Sequence, residues 1–139
     1  MKSNLWSCPK CKREFRSKNQ VHSCVFYPIE NHFKNKPYSK EIFENLKKEI
    51  EVNIGPLKID SLPCCIHLIS NYTFSGVWAL KDRIRMDFRT TRKIKSKRIL
   101  KNYNLFSKYY MNYTEIKTKK DIDKEFLSWI KEAYLGTNE

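Results

Sequence analysis

Glycine is scarce in this chain, acid is outnumbered by base, and long apolar runs are absent. Only three of its 139 residues are glycine, so a phosphate-cradling Gly-rich loop has little to be built from, and no such motif is present. No run reaches the ~18 uncharged apolar residues of a membrane span. The start, Met1 to Trp6, holds no apolar stretch of the secretory kind. The chain therefore reads as soluble and cytoplasmic, with no membrane partner. No two carboxylates stand at a spacing suited to acid–base work, and no nucleophile stands beside a base. The H-x-E or C-x-E that a zinc deaminase places ahead of its P-C-x-x-C is missing too, so the sequence is read as that of a non-enzymatic protein.

What is abundant is positive charge. Lys+Arg 28 against Asp+Glu 15 gives a net charge of +13, and it is unevenly laid down. Residues 25–80 are balanced, with 6 basic and 6 acidic side chains, whereas residues 81–120 carry 14 basic and 3 acidic ones. A general lysine bias would spread evenly. Concentration in one stretch is expected of a surface that meets polyanions.

Five cysteines at uneven spacing suit metal ligation or free thiols better than a disulfide framework. Cys64 and Cys65 are adjacent in an apolar run without an acidic or histidine partner at ligand spacing, and read as two buried structural thiols. His67, alone on the following strand, reads as a satisfied histidine. The other three cysteines precede residue 25. Trp6-Ser-Cys8-Pro-Lys-Cys11 puts two thiols on a tight turn from which both sulfurs can reach one ion about 2.3 Å away. No βαβ context follows, which excludes a thioredoxin-like pair. Phe15, Val21 and Cys24 continue the C-x2-C-x3-Φ-x5-Φ-x2-ligand spacing of a zinc finger, with Phe15 and Val21 as a small core that the ion completes. The expected ligands are Cys8, Cys11, Cys24 and His32, with His22 as the alternative fourth. A filled shell of this kind makes the zinc structural rather than catalytic. Ser17, Gln20 and Ser23 would face bases, and Lys10, Lys12, Arg13, Arg16 and Lys18 phosphates.

The rest of the chain changes period twice. Ser39, as N-cap, opens a helix with the stripe Ile42, Phe43, Leu46 and Ile50, ended at Asn53-Ile54-Gly55-Pro56. Cys64 to Ile69 reads as a strand. Tyr72 to Leu80 and Arg83 to Arg89 alternate and form an antiparallel hairpin about Lys81-Asp82. In it Tyr72, Phe74, Gly76, Trp78 and Leu80 share one face of the first arm, Ile84, Met86 and Phe88 of the second point inward, and an arginine-rich face points out. Tyr109 to Lys117 reads as a further strand. Thr118-Lys-Lys-Asp121 opens a last helix with the stripe Ile122, Phe126, Trp129, Ile130, Ala133 and Tyr134, stopped by Gly136. The expected fold class is α+β: a zinc-finger-like unit and connector over 1–37, then over 38–139 a meander-type antiparallel sheet flanked by a helix at each end.

On the residues Trp6, Cys8, Pro9, Cys11, Asn19, Gln20, His22, Ser23, Cys24, His32 and Phe33, the amino end resembles an uncharacterised bacterial and archaeal family. Its W-x-C-P-x-C … N-Q-x-H-S-C … H-F segment precedes a small α+β domain. Asp121-Ile-Asp123-Lys-Glu125 and Trp129-Ile-Lys-Glu132-Ala-Tyr134 extend the likeness to the carboxyl end. That family has no known task, so the resemblance implies a metal and a fold only, and its pattern includes both His22 and His32. In element order the second domain is also similar to MmcQ/YjbR-type proteins of CyaY-like fold, which implies a curved sheet and DNA binding.

The expected function is nucleic-acid binding. Arg83, Arg85, Arg89, Arg92, Lys93, Lys95, Lys97, Arg98 and Lys101 would meet phosphates, and Tyr103, Phe106, Tyr109 and Tyr110 would be available to stack on unpaired bases. The alternative is a protein-interaction module in which the lysines serve solubility.

Overall fold

The computed structural model describes residues 5–10, 12, 14–15, 18–19 and 27–136. A short antiparallel pair, β1 (Trp6–Ser7) and β2 (Glu14–Phe15), opens the chain. A 3-10 turn (Ile29–Phe33) leads to α1 (Pro37–Asn53), six strands and α2 (Lys124–Leu135). The strands are β3 (Lys58–Ser61), β4 (Ile66–Ile69), β5 (Thr73–Ala79), β6 (Ile84–Thr90), β7 (Ile99–Phe106) and β8 (Tyr109–Ile116). They form one antiparallel sheet in the order β3-β4-β5-β6-β8-β7. The α+β expectation holds for this part. Among the described residues, no helix is long and apolar enough to cross a membrane.

The stripe read from the sequence is the buried face of α1: Ile42, Phe43, Leu46 and Ile50 all lie in the core. Ser39 is not its N-cap. The cap position is Lys36, and Pro37 starts the helix at a place where its missing N–H costs nothing. Ser39 is instead buried inside the first turn, where its hydroxyl faces the carbonyls of Leu80 and Arg83, the latter at 3.0 Å. Lys36 reaches the neighbouring Ala79 carbonyl at 2.9 Å. One turn of α1 thus holds the β5–β6 hairpin by its end.

At the other end of the chain, Thr118 and Asp121 do form a capping box, but around a 3-10 turn. The helix itself starts after Asp123, whose carboxylate accepts the Phe126 N–H. Phe126, Trp129, Ile130 and Ala133 are buried, and Trp129 lies over Phe88 with the rings 12° from parallel. Gly55 makes room for Tyr134: a Cβ there would come within 2.7 Å of the phenol oxygen, which donates to the Pro56 carbonyl.

Three features depart from the sequence reading. β3 and β7 are additional strands. The order is not a simple meander either, because β8 turns back into the sheet and leaves β7 at the edge. The alternation along β5 is also broken. The register slips by one residue near Thr73, so Phe74 and Val77 both face the core while Trp78 faces the opposite side.

Removing the Ser39 hydroxyl takes its donor from the half-buried Leu80 carbonyl at the hairpin end, while the Arg83 carbonyl keeps the Leu80 N–H at 2.8 Å. Ser39→Ala is expected to destabilise the fold by about 1–3 kcal/mol, seen as a lower urea midpoint with an unchanged slope. An unshifted midpoint would show that this anchor carries no weight.

Candidate functional site

Because β-strand side chains alternate, sealing one face of the sheet decides what the other presents. Ile66, Leu68, Val77, Ile84, Met86, Phe88 and Ile116 have no accessible surface, and they pack with the apolar stripes of α1 and α2. The alternate positions form rows across the face opposite the two helices. One row runs Asp60, His67, Gly76, Asp87, Tyr113, Lys101; the flanking rows are Trp78, Arg85, Glu115 and Arg89, Met111, Tyr103. Rings, cations and carboxylates are interleaved there in a way that no single segment of the sequence announces.

The nine expected phosphate contacts divide into two groups. Arg83 and Arg85 both donate to Glu115, at 2.9 and 2.8 Å. Burial pushes the Glu115 carboxyl up, but these two guanidiniums win and hold it below its ordinary range. Arg92 donates to Glu132 at 2.6 Å. Arg98 meets Asp123 and Glu125 at 2.9 and 3.3 Å and lies over the Trp129 ring, fastening the β6–β7 connection to α2. These four arginines are occupied within the chain. Lys93, Lys95 and Lys97 project from that connection on either side of the buried anchor Ile94, and make no ion pair among the described residues. Lys101 sits over the Tyr113 ring, 4.8 Å from its centre.

Arg89 is the exception. Its guanidinium is enclosed by Tyr72, Tyr109 and Phe106, at 4.8, 5.1 and 5.9 Å from the ring centres. Its Nε is buried without a hydrogen-bond acceptor. Tyr103, expected to stack, is exposed and lies along Tyr113; Phe106 is exposed beside Tyr109. Trp78, Asp87 and Tyr113 are the members that the sequence reading missed as site residues.

Two hollows lie in this face and share Trp78. One of about 430 Å³ is lined by Trp78, Leu80, Arg85, Leu100, Lys101 and Tyr113. The other, of about 200 Å³, is bordered by His67, Gly76, Trp78, Asp87, Arg89 and Met111, among others. Burial raises the Asp87 carboxyl above its ordinary value, against the lowering effects of the Gly76 N–H, which it accepts at 2.6 Å, and of His67. Burial, with the Tyr103 hydroxyl beside it, pushes the Tyr113 phenol up to about 12.

Of the expected metal ligands, Cys11, Cys24 and the alternative His22 lie outside the described residues, as do Ser17, Gln20 and Ser23. Cys8 is buried, in the turn closed by the Lys12 N–H on its carbonyl at 2.8 Å. His32 stands edge-on to Tyr27. Burial lowers its imidazole, partly offset by a hydrogen bond to the backbone of Leu62, and its Nε2 is buried without a partner. Among the described residues, no three His, Cys, Asp or Glu side chains are close enough to hold an ion. Cys64 and Cys65 are not two buried thiols. Only Cys65 is buried, which pushes its thiol to about 12; Cys64 is exposed, with the sulfurs 3.2 Å apart.

The raised Asp87 carboxyl sets a stability test. Its contribution is fully present below the unfolded value near 3.8 and is lost as pH rises through the folded one. Asp87→Asn keeps an acceptor for Gly76 and removes the buried charge. The variant is expected to melt above the wild type at pH 7, with the difference closing as pH falls toward 4. A variant that melts lower at neutral pH would contradict this.

No curated protein and no solved structure matches the chain. Residues 29–137, from the 3-10 turn through α2, match a domain of unknown function (DUF5655), and the chain belongs to that family.

Proposed function

We propose that the protein is non-enzymatic and binds single-stranded nucleic acid across the open face of its sheet, with a zinc ion structuring the amino end. The observation that carries the reading is the row Gly76, Asp87, Tyr113, Lys101, with Trp78 and Tyr103 on either side, on the face opposite the two helices. Flat rings on an open sheet stack on unpaired bases whatever their identity, and cations at the margin hold the backbone. A duplex keeps its base faces inside the helix and gives such a surface little to stack on. The looser likeness in element order to MmcQ/YjbR-type proteins is in keeping with this and adds no residue to it.

The phosphate contacts fall to Lys93, Lys95, Lys97 and Lys101 rather than to the paired arginines. With about four phosphates neutralised on a single strand, the log–log salt slope of the binding constant is expected near −3. Replacing Lys93, Lys95 and Lys97 together by Ala should reduce it to about −1. A slope near zero, or one indifferent to the triple substitution, would falsify the reading.

The zinc proposal rests on Cys8, Cys11, Cys24 and His32, with His22 as the alternative to His32. What supports His32 is chemical: a buried Nε2 with no partner, on a ring tied to the Leu62 backbone, is how ligating imidazoles are commonly held. When bound, zinc would supply a rigid cross-link and no reaction. Freshly purified protein is expected to contain one zinc per chain, reduced by Cys24→Ser and by whichever of His32→Ala and His22→Ala removes the fourth ligand. Metal-free protein with an unaltered spectrum in chelator would contradict the proposal.

A further inference from the structure

Arg89 is a guanidinium in want of an acceptor. A donor buried without a partner destabilises the fold, and a charged group does so more strongly unless something completes it. Three rings fix its position, yet no hydrogen bond or ion pair joins it to a described residue. Two residues earlier on the same face, Asp87 spends one oxygen on the Gly76 N–H and keeps acceptor capacity on the other. No ion pair joins Asp87 to Arg89; both instead border the hollow of about 200 Å³. Gly76 keeps its floor clear, since a Cβ there would stand 3.3 Å from both the Asp87 carboxylate and the Trp78 ring.

A ligand that satisfies this hollow must be small and bring donors to the Asp87 end and acceptors to the Arg89 end. It must also present an apolar face to Trp78 and Met111. An anion meets only half of these terms, because its second end would lie against a carboxylate. At about 200 Å³ the space is below that of a drug-sized ligand and suits a single ring system. Guanine alone among the four bases offers a carboxylate two adjacent N–H groups, and it offers a guanidinium the adjacent acceptors O6 and N7.

We propose that the hollow between Asp87 and Arg89 is a base-reading subsite for guanine, which would make an otherwise sequence-tolerant surface prefer strands that place a guanine there. This rests on the single-strand reading above.

The test is a fluorescence-anisotropy titration of full-length protein at fixed low salt with four oligothymidylates, identical except for T, A, C or G at the centre. The guanine strand is expected to bind at least about tenfold more tightly than the others, the discrimination of one bidentate contact. Asp87→Asn, which removes the carboxylate but is expected to fold, should bring it to the level of the other three, as should Arg89→Lys, which keeps the charge and loses the fork. Equal affinity for all four strands in the wild type would overturn the subsite and leave strand binding standing. A uniform loss across all four in Arg89→Lys, with the guanine preference intact, would assign Arg89 to a phosphate and overturn it as well. No binding by any strand would remove the single-strand reading and the subsite together.

Discussion

The sealing of one face of the sheet is the constraint from which the rest follows. Two helices cover it, and the side chains beneath them, from Leu68 on β4 to Ile116 on β8, have no contact with water. With a period of two, a slip of one residue on β6 would exchange Ile84, Met86 or Phe88 for Arg85, Asp87 or Arg89, so register there is fixed by burial rather than by the ladder. The composition of the open face is the complement of that choice. Ser39 and Lys36 strengthen it locally, since they tie the end of the β5–β6 hairpin to the first turn of α1 and so set the height at which Trp78 and Arg85 emerge.

Much of the architecture was legible because it follows from period. The stripes of α1 and α2, the β6 arm of the hairpin about Lys81-Asp82 and the second half of the strand before Thr118 are amphipathic, and each lies where that pattern puts it. β7 was not legible, because Leu100, Tyr103 and Phe106 on an edge strand are exposed and its one lysine and two asparagines do not alternate with buried residues. Its place beyond β8 depends on tertiary contacts: buried Asn112 donates to Thr90 on β6 and accepts from Asn102 on β7, joining three strands through one amide. The break in β5 was hidden for a similar reason. A bulge moves Phe74 into the core and Trp78 out of it, and apolar residues on both sides of the break read as one continuous stripe.

The candidate site was legible in its charge and not in its parts. The clustering of basic residues over 81–101 falls on β6, the β6–β7 connection and the start of β7, but a sequence cannot say which cations already have partners. Glu115, Glu132 and Asp123, 25 to 40 residues away from the arginines they meet, neutralise four of them. What remains is a lysine-bearing connection beside a row of rings, with the Arg89 Nε left without an acceptor in the middle. Such local violations of polar satisfaction mark surfaces that are completed by something other than the chain itself.

The central claim is that the open face, and not the helical side or the amino-terminal hairpin, receives an unpaired strand. Amide and indole chemical shifts, followed while a short single-stranded oligonucleotide is added, test it most directly. The account predicts the largest displacements at Gly76, the Trp78 indole, Tyr113 and Lys101, with α1 and α2 unmoved. Displacements confined to the helices or to β1 and β2, with those four signals stationary, would contradict it.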